Sequence, residues 1–335
     1  MTSKLPSEGN PSGKSTELSC LQRIVCNGRF AAFEDYLNVC RRFLTLLEES
    51  SPTRIVSPAQ QNYIFYQYGR SYDHRITRPL NTDLFYESST SFAESYGRFL
   101  QFLDDLKASQ ERACEKAGAQ KYLRSNEISR VVYTMQQSVG SIGDSFKSPN
   151  QCRKRVGQIF ENLVKLIVRA TGLDCEPRTV KIPVPDQDDC SMSYELDLVI
   201  SRDKAIIASE THFIHPSEVV GSVKTTSKDR IDKIFLDKYL LTKLLGRDIP
   251  VVAVFLHDVQ RASKRQNRFG IASTFKKGHF LGYTAAFARL DGVYYVDPRP
   301  DMLTNRKLAE QIKGFQDFLT RDLWILLKRS PRTAP

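Results

Sequence analysis

The sequence predicts an α/β protein, in which helices flank a mixed central sheet in the second half and the first half is mostly helical. Apolar residues recur at helical spacing through the first 150 residues. After a helix that stops at Gly172, strand-like segments alternate with helices. Residues 251–256 form an uninterrupted apolar run, which is typical of a strand covered on both faces. A chain of 335 residues is also long enough to bury a full hydrophobic core.

The composition favours a polyanionic partner. The chain has 49 Lys and Arg against 38 Asp and Glu, a formal net charge of +11. Cationic side chains release condensed counterions from nucleic acid, although a basic surface without a partner fits the charge equally well. Its seven cysteines are scattered without a Cys-x-x-Cys pair, which favours reduced thiols over disulfides or a zinc site. With no long apolar run and no apolar leader, we expect a cytoplasmic protein with no membrane partner.

The first half is predicted to contain a tail and several helices. Residues 1–16 are rich in Ser, Gly and Pro, which predicts a disordered tail. Residues 17–150 would then form a mostly helical part. Its helices are predicted at 17–49, 87–117 and 126–138.

The segment 59–75 carries aromatic residues beside arginines. It favours a helix that packs by its aromatic face, because aromatic stripes more often belong to a core than to a binding site. The alternative is a DNA-facing patch in which Arg70 binds phosphate or bases, since planar side chains beside arginines suit both.

Residues 151–335 are predicted to form the α/β part of the chain. An amphipathic helix at 152–172 opens it and ends at a glycine. Strands are predicted at 177–184, 194–201, 204–209, 218–224, 251–256 and 280–296. Further helices are predicted at 228–245 and 304–328.

Acidic residues and one lysine are placed where neighbouring strands can bring them together. Asp197 interrupts an otherwise apolar strand, and Lys224 comes at the end of a later strand. Such a set suits phosphodiester hydrolysis, in which carboxylates hold Mg²⁺ and a lysine acts on the attacking water. The position two residues before the lysine, where many nuclease cores have an acid, holds Ser222. Asp237, inside the following helix, could return an acid toward the metal, or could simply pair with Lys233.

The start of that helix carries Lys228, Asp229 and Arg230. Two cations there oppose the helix dipole, which favours a function over a merely solvated helix start. Lysine and arginine can donate to guanine O6 and N7, and aspartate can accept from cytosine N4. The cluster therefore predicts a reader of adjacent G·C pairs.

The block Val223-Lys-Thr-Thr-Ser-Lys-Asp-Arg230, with an acid thirteen residues after the lysine, resembles the type II restriction endonucleases of the CCGG/CCNGG group. That family has the PD-(D/E)xK fold with a relocated second acid. The resemblance implies that residues 17–150 serve DNA recognition and dimerisation and that residues 151–335 form the catalytic core. The resemblance covers roughly 155–260. It implies a catalytic set of Asp197, Lys224, Asp237 and Glu161, with Asp197 and Asp237 as metal ligands. Two departures are Asp237, where the family usually has glutamate, and Lys228, where several relatives have arginine.

The resemblance also implies partners and a cofactor. We expect Mg²⁺, double-stranded DNA with a short palindromic or pseudopalindromic site, a homodimer and a cognate DNA methyltransferase in a bacterial cytoplasm. In some relatives a glutamine of the helical part reads the minor groove, a role that Gln136 or Gln137 would have here. Two other hypotheses stay open: a DNA-binding protein on the same fold without catalysis, and a repair nuclease that recognises DNA structure instead of sequence.

Overall fold

A computed structural model describes residues 12–50, 53–57, 60–67, 77–109, 125–146, 150–184, 187, 190–203, 213–228, 230–262 and 270–328. The amino-terminal elements are α1 (Ser12–Asn27), α2 (Phe33–Ser50), β1 (Thr53–Val56), β2 (Tyr63–Gln67), β3 (Leu80–Asn81), α3 (Ser89–Ser109) and α4 (Glu127–Asp144). Because α1 begins at Ser12, the predicted disordered tail is wrong for residues 12–16. The rest of that tail lies outside the described residues.

Residues 17–49 do not form the single helix that their apolar spacing predicts. The chain leaves the helix at Gly28, whose N–H donates to Ile24 O at 2.7 Å, and Phe30 takes a left-handed φ of 46°. The Asp35 carboxylate then accepts two backbone N–H groups that precede α2. This local capping separates α1 from α2 and lets the two helices pack side by side.

The aromatic segment forms a strand where we predicted a helix. β2 pairs antiparallel with both β1 and β3, and the side chains of Tyr63, Ile64, Phe65 and Tyr66 are all buried. Consecutive burial of β-branched and aromatic residues is typical of a strand that is covered on both faces. The remainder of the segment, including Arg70, lies outside the described residues.

The carboxy-terminal half is built on a six-stranded mixed sheet. Its elements are α5 (Asn150–Ala170), β4 (Asp174–Pro183), β5 (Ser191–Ser201), β6 (Val219–Thr226), α6 (Ile231–Leu245), β7 (Val251–His257), β8 (Val259–Arg261), β9 (Ile271–Ser273), α7 (Lys277–Ala286), β10 (Gly292–Tyr295), α8 (Pro300–Thr304), α9 (Arg306–Ala309) and β11 (Ile312–Gly314). The strand order is β11-β10-β7-β6-β5-β4. The pairs β4–β5 and β5–β6 are antiparallel, while β6, β7, β10 and β11 run parallel.

Two predictions near the carboxy terminus are wrong in part. Within 280–296 only β10 is a strand, because Phe280 and Tyr283 lie at helical spacing and both pack on Phe235. The predicted helix at 304–328 is interrupted by β11, which adds the sixth strand. The chain then forms α10 (Phe315–Asp317), a π-helical turn (Phe318–Asp322) and α11 (Leu323–Leu326). The predicted strand at 204–209 lies outside the described residues.

The hydrophobic core lies on both faces of the sheet. One cluster joins one face of the sheet to the amino-terminal helices, and it includes Leu21 and Leu327. The other joins the opposite face to α6 and α7. The predicted boundary at residue 150 falls between α4 and α5, which pack together inside the first cluster. In the described part of the chain, no helix is both long and apolar enough to cross a membrane.

Candidate active site

Lys224, near the end of β6, is held between two carboxylates. Its Nζ lies 2.6 Å from Asp197 Oδ2 and 3.1 Å from Glu161 Oε1. All three side chains are only partly exposed. The structure therefore brings together three of the four predicted catalytic residues, which come from β5, β6 and α5.

The pairing of β5 with β6 positions Asp197. The two strands run antiparallel with Leu198 opposite Gly221, so the residue before Leu198 lies beside the residues after Gly221. Asp197 Oδ2 accepts from Ser222 Oγ at 3.0 Å and from the backbone N–H of Val223 at 2.9 Å. Together with Lys224, three donors fix this carboxylate oxygen at the edge of the site.

Burial and the neighbouring charges together explain the pKa shifts of this group. Burial raises the pKa of Glu161, and the nearby Asp197 raises it further, against a smaller opposing effect of Lys224. Burial lowers the pKa of Lys224, but its contacts with Asp197 and Glu161 outweigh that effect and leave the pKa raised. Lys224 is therefore an ammonium group at neutral pH and acts as a hydrogen-bond donor.

Asp237, the fourth predicted catalytic residue, lies half-buried on α6. Burial raises its pKa, Lys233 opposes that shift, Asp197 adds to it and Lys224 lowers it. The carboxylate thus lies within electrostatic reach of the Asp197–Lys224 pair. The hydrogen bonds of Lys224 go to Asp197 and Glu161, not to Asp237.

The oxygen donors of this site fit a hard divalent cation. Within the described ranges, no three His, Cys, Asp or Glu side chains are already grouped as a metal site. Mg²⁺, however, is commonly held by one or two carboxylates together with substrate phosphate and water. Lys224 already places a positive charge between the Asp197 and Glu161 carboxylates, and Asp237 adds a further carboxylate nearby.

Two of the predicted DNA-reading residues lie exposed at the start of α6. Arg230 is the residue that precedes the first turn, and Lys228 lies two residues earlier. Lys228 Nζ donates to Gln260 Oε1 at 3.3 Å. Asp229 lies outside the described residues.

The two candidate glutamines of α4 are fully buried. Gln136 and Gln137 have no exposed surface, and Gln136 Nε2 donates to Val156 O at 3.0 Å across to α5. Burial at the contact between two helices does not favour direct contact with DNA in this conformation. Contact between Gln136 and a minor groove would need its bond to Val156 to break.

Two residues of this region are not assigned a role by the sequence. Ser222 occupies the place of the acid that is missing two residues before the lysine, and this spacing could have identified it as a partner of Asp197. Gln260 is brought to Lys228 by tertiary packing of β8. Nothing near Gln260 in the sequence signals that contact.

Comparison with solved structures identifies the fold. The crystal structure of the type IIP restriction endonuclease Kpn2I superposes with a TM-score of 0.63 and 18% identity, over 94% of this chain and 97% of that chain. A complex of restriction endonuclease PspGI with substrate DNA gives a TM-score of 0.39 and 15% identity, over 71% of this chain and 93% of that chain. No family model and no curated protein matches the sequence. The chain thus has the restriction-endonuclease fold that the sequence predicts.

Proposed function

We propose that this protein is a type II restriction endonuclease that cleaves double-stranded DNA in the presence of Mg²⁺. The observation that carries the proposal is the Lys224 ammonium held between Asp197 and Glu161, on a sheet with this fold. The proposed target is a short palindromic or pseudopalindromic C·G-rich site with a CCGG or CCNGG core. The products would have 5′-phosphate and 3′-hydroxyl ends.

Lys224 has the role of a donor in this proposal. Because its pKa is raised, the side chain does not lose a proton readily and is a poor base. Its ammonium can instead donate to the attacking water and to a phosphate oxygen, which orients the water and stabilises charge on the phosphate. Asp197 and Glu161 already hold it in position before substrate arrives.

Glu161 is the best candidate to accept the proton of the water. A raised pKa makes its ionised carboxylate a stronger base than an ordinary glutamate, which favours proton transfer from the water. Asp197 and Asp237 would hold Mg²⁺, which supplies positive charge to the phosphate oxygens when bound.

Recognition is proposed to involve Lys228, Asp229 and Arg230 in the major groove. The cations would donate to guanine and the aspartate would accept from cytosine. A homodimer with two-fold symmetry would match a palindromic duplex and cut both strands. A cognate methyltransferase would protect the same site in the host.

Digestion of a plasmid of known sequence tests the proposal. The protein is incubated with Mg²⁺, with EDTA as the control, and the ends are determined by run-off sequencing. Discrete fragments that share a C·G-rich motif are the expected result. Random nicking would support a nuclease that recognises DNA structure instead, and an uncut plasmid that still shifts on a gel would overturn the nuclease function.

Two lysine variants separate catalysis from binding. Lys224→Ala should lower cleavage by at least about 10²-fold, since it removes the donor at the reacting phosphate. Gel-shift affinity should change by only a few-fold, because recognition belongs to other residues. Lys107→Ala, on the exposed face of α3, is the matched control and should cleave normally. Equal activity of the two variants would exclude the proposed role of Lys224.

A further inference from the structure

The β8–β9 hairpin is attached firmly to the end of the central sheet. It follows β7 directly, and Thr274 donates to Asp258 O through its N–H at 2.6 Å and its Oγ1 at 2.7 Å. The Asp258 side chain is fully buried and accepts from Ser273 Oγ at 2.7 Å. Arg299 Nε lies 3.1 Å from the same Asp258 oxygen. The hairpin stem is therefore a fixed part of the surface around the site.

The hairpin also contacts the segment that joins the catalytic strand to α6. Ser227 Oγ and Thr274 Oγ1 are 3.2 Å apart, and the Lys228 ammonium donates to Gln260 Oε1 at 3.3 Å. Lys228, Gln260 and Arg261 are all exposed. The Gln260 amide and the Lys228 ammonium thus form an exposed polar surface beside the start of α6.

This surface lies close to the reacting residues. Lys228 follows Lys224 by four residues, which span at most about 14 Å of extended chain. At about 3.4 Å per base pair, that reach corresponds to roughly four base pairs of duplex. A group beside Lys228 can therefore touch bases of the same short site whose phosphate lies at Lys224.

We propose that Gln260 is a specificity-determining residue, which reads an A·T pair next to the bases contacted by Lys228. This inference rests on the proposed function. A glutamine amide can accept from adenine N6 and donate to adenine N7 in the major groove, which is wide enough for a two-stranded ribbon. Its oxygen has two lone pairs, so it can accept from Lys228 and from adenine together.

Two variants separate reading from mere support of Lys228. Gln260→Glu keeps an acceptor for Lys228 but has no donor for adenine N7, whereas Gln260→Ala loses both. The matched controls are Gln101→Ala and Gln101→Glu. Gln101 is an exposed glutamine on α3 that also bonds a neighbour, Asp105, at 3.1 Å.

The experiment measures kcat/KM on duplexes that carry the site identified by run-off sequencing. Each base pair of the site, and two on either side, is replaced in turn. The wild-type enzyme should have a higher kcat/KM on duplexes with one particular A·T pair than on duplexes in which that pair is replaced. In both Gln260 variants this ratio should fall by roughly 5- to 150-fold, while the preferences at the other positions stay unchanged. The Gln101 variants should match wild type at every position.

Three outcomes would overturn the inference. The first is an unchanged sequence preference in both Gln260 variants. The second is a kcat/KM that falls equally on all duplexes in Gln260→Ala while Gln260→Glu keeps the wild-type sequence preference. That result would make Gln260 a support for Lys228. In both cases the wild-type enzyme still cuts its site, so the proposed function stands. A wild-type protein that cuts no duplex would instead overturn the proposed function, and the inference with it.

Discussion

Asp197 is the residue on which most contacts of the site converge. Its Oδ2 atom accepts from a serine hydroxyl, a backbone N–H and the Lys224 ammonium. These donors set the orientation of the side chain in advance, which reduces the reorganisation that the reaction requires. The serine donor comes from Ser222, at the position where many nuclease cores place an acid.

Ser222→Ala should therefore weaken catalysis without much effect on folding. Loss of one of three donors to a charged oxygen is expected to lower kcat/KM by roughly 5- to 30-fold, if the bond contributes about 1 to 2 kcal/mol. The control is Ser193→Ala, an exposed serine on β5. Measuring kcat/KM for cleavage by the two variants tests this prediction. Normal activity of Ser222→Ala would mean that the other donors are sufficient.

Asp297 is a buried carboxyl between the amino-terminal part and the sheet. Asn81 Nδ2 donates to its Oδ1 at 2.9 Å, and Tyr63 OH donates to its Oδ2 at 3.1 Å. Burial outweighs both hydrogen bonds and raises its pKa from 3.8 to about 7. Between these two pKa values the folded state therefore holds a proton that the unfolded state has lost. The contribution of Asp297 to the free energy of unfolding thus decreases as pH rises from the lower value to the higher.

Asp297→Asn should remove this pH dependence, because an amide stays neutral at every pH. The free energy of unfolding of the variant minus that of wild type should grow by roughly 2 to 3 kcal/mol from about pH 5 to about pH 8. Urea unfolding of both proteins across that range measures the difference. A constant difference would show that Asp297 is already ionised in the folded protein at the lower pH.

Among the elements, β4 is joined by a buried ion pair to the residue that precedes β6. Arg178 of β4 binds Glu218 through two hydrogen bonds of 2.8 and 2.7 Å, and the two side chains are 5% and 0% exposed. Glu218 also accepts from the His215 N–H at 2.7 Å. The pair thus fixes the chain just before β6, the strand that carries Lys224.

Arg178→Ala should destabilise the protein by about 3 to 5 kcal/mol, because it leaves the Glu218 charge buried without its partner. Arg54→Ala is the matched control. It removes an ion pair with Glu87 in which both side chains are 46% exposed, and it should cost less than about 1 kcal/mol. Chemical denaturation gives both values. If both variants lost a similar free energy of unfolding, burial would not be what makes the loss of one ion-pair partner costly.

The elements also show which parts of the fold can be read from sequence. β7 was predictable because its apolar run is long enough to exclude a surface element. β2 was not, because five aromatic-rich residues fit a buried helix turn as well as a strand, and only pairing with β1 and β3 decides between them. The contact between Asp197 and Lys224 could be predicted, because each is a charged residue in or at the end of an apolar strand. Gln260 has no such signal, since its contact exists only in the folded chain.

At the scale of the whole molecule, the helical part and the sheet share one core. Apolar side chains from α1 to the carboxy-terminal helix belong to the same cluster, and Tyr36 OH donates to Ile159 O at 2.7 Å across it. The predicted division at residue 150 is therefore not a division of the hydrophobic core.

A fragment of residues 150–328 should consequently fail to fold alone, because it would expose the apolar face of α5 to water. Full-length protein should unfold in one cooperative transition, and the fragment should show none by calorimetry or near-ultraviolet circular dichroism. A cooperative transition in the fragment would show that the sheet is an independent domain.

The shared core has a consequence for synthesis of the chain. Leu21 and Leu327 belong to one cluster, so this core is complete only after residue 327 has left the ribosome. At about 5 to 20 residues per second, the early helices wait many seconds for the residues that cover them. A chain whose synthesis stops before Leu327 would thus have an open core, with the apolar face of α5 partly uncovered.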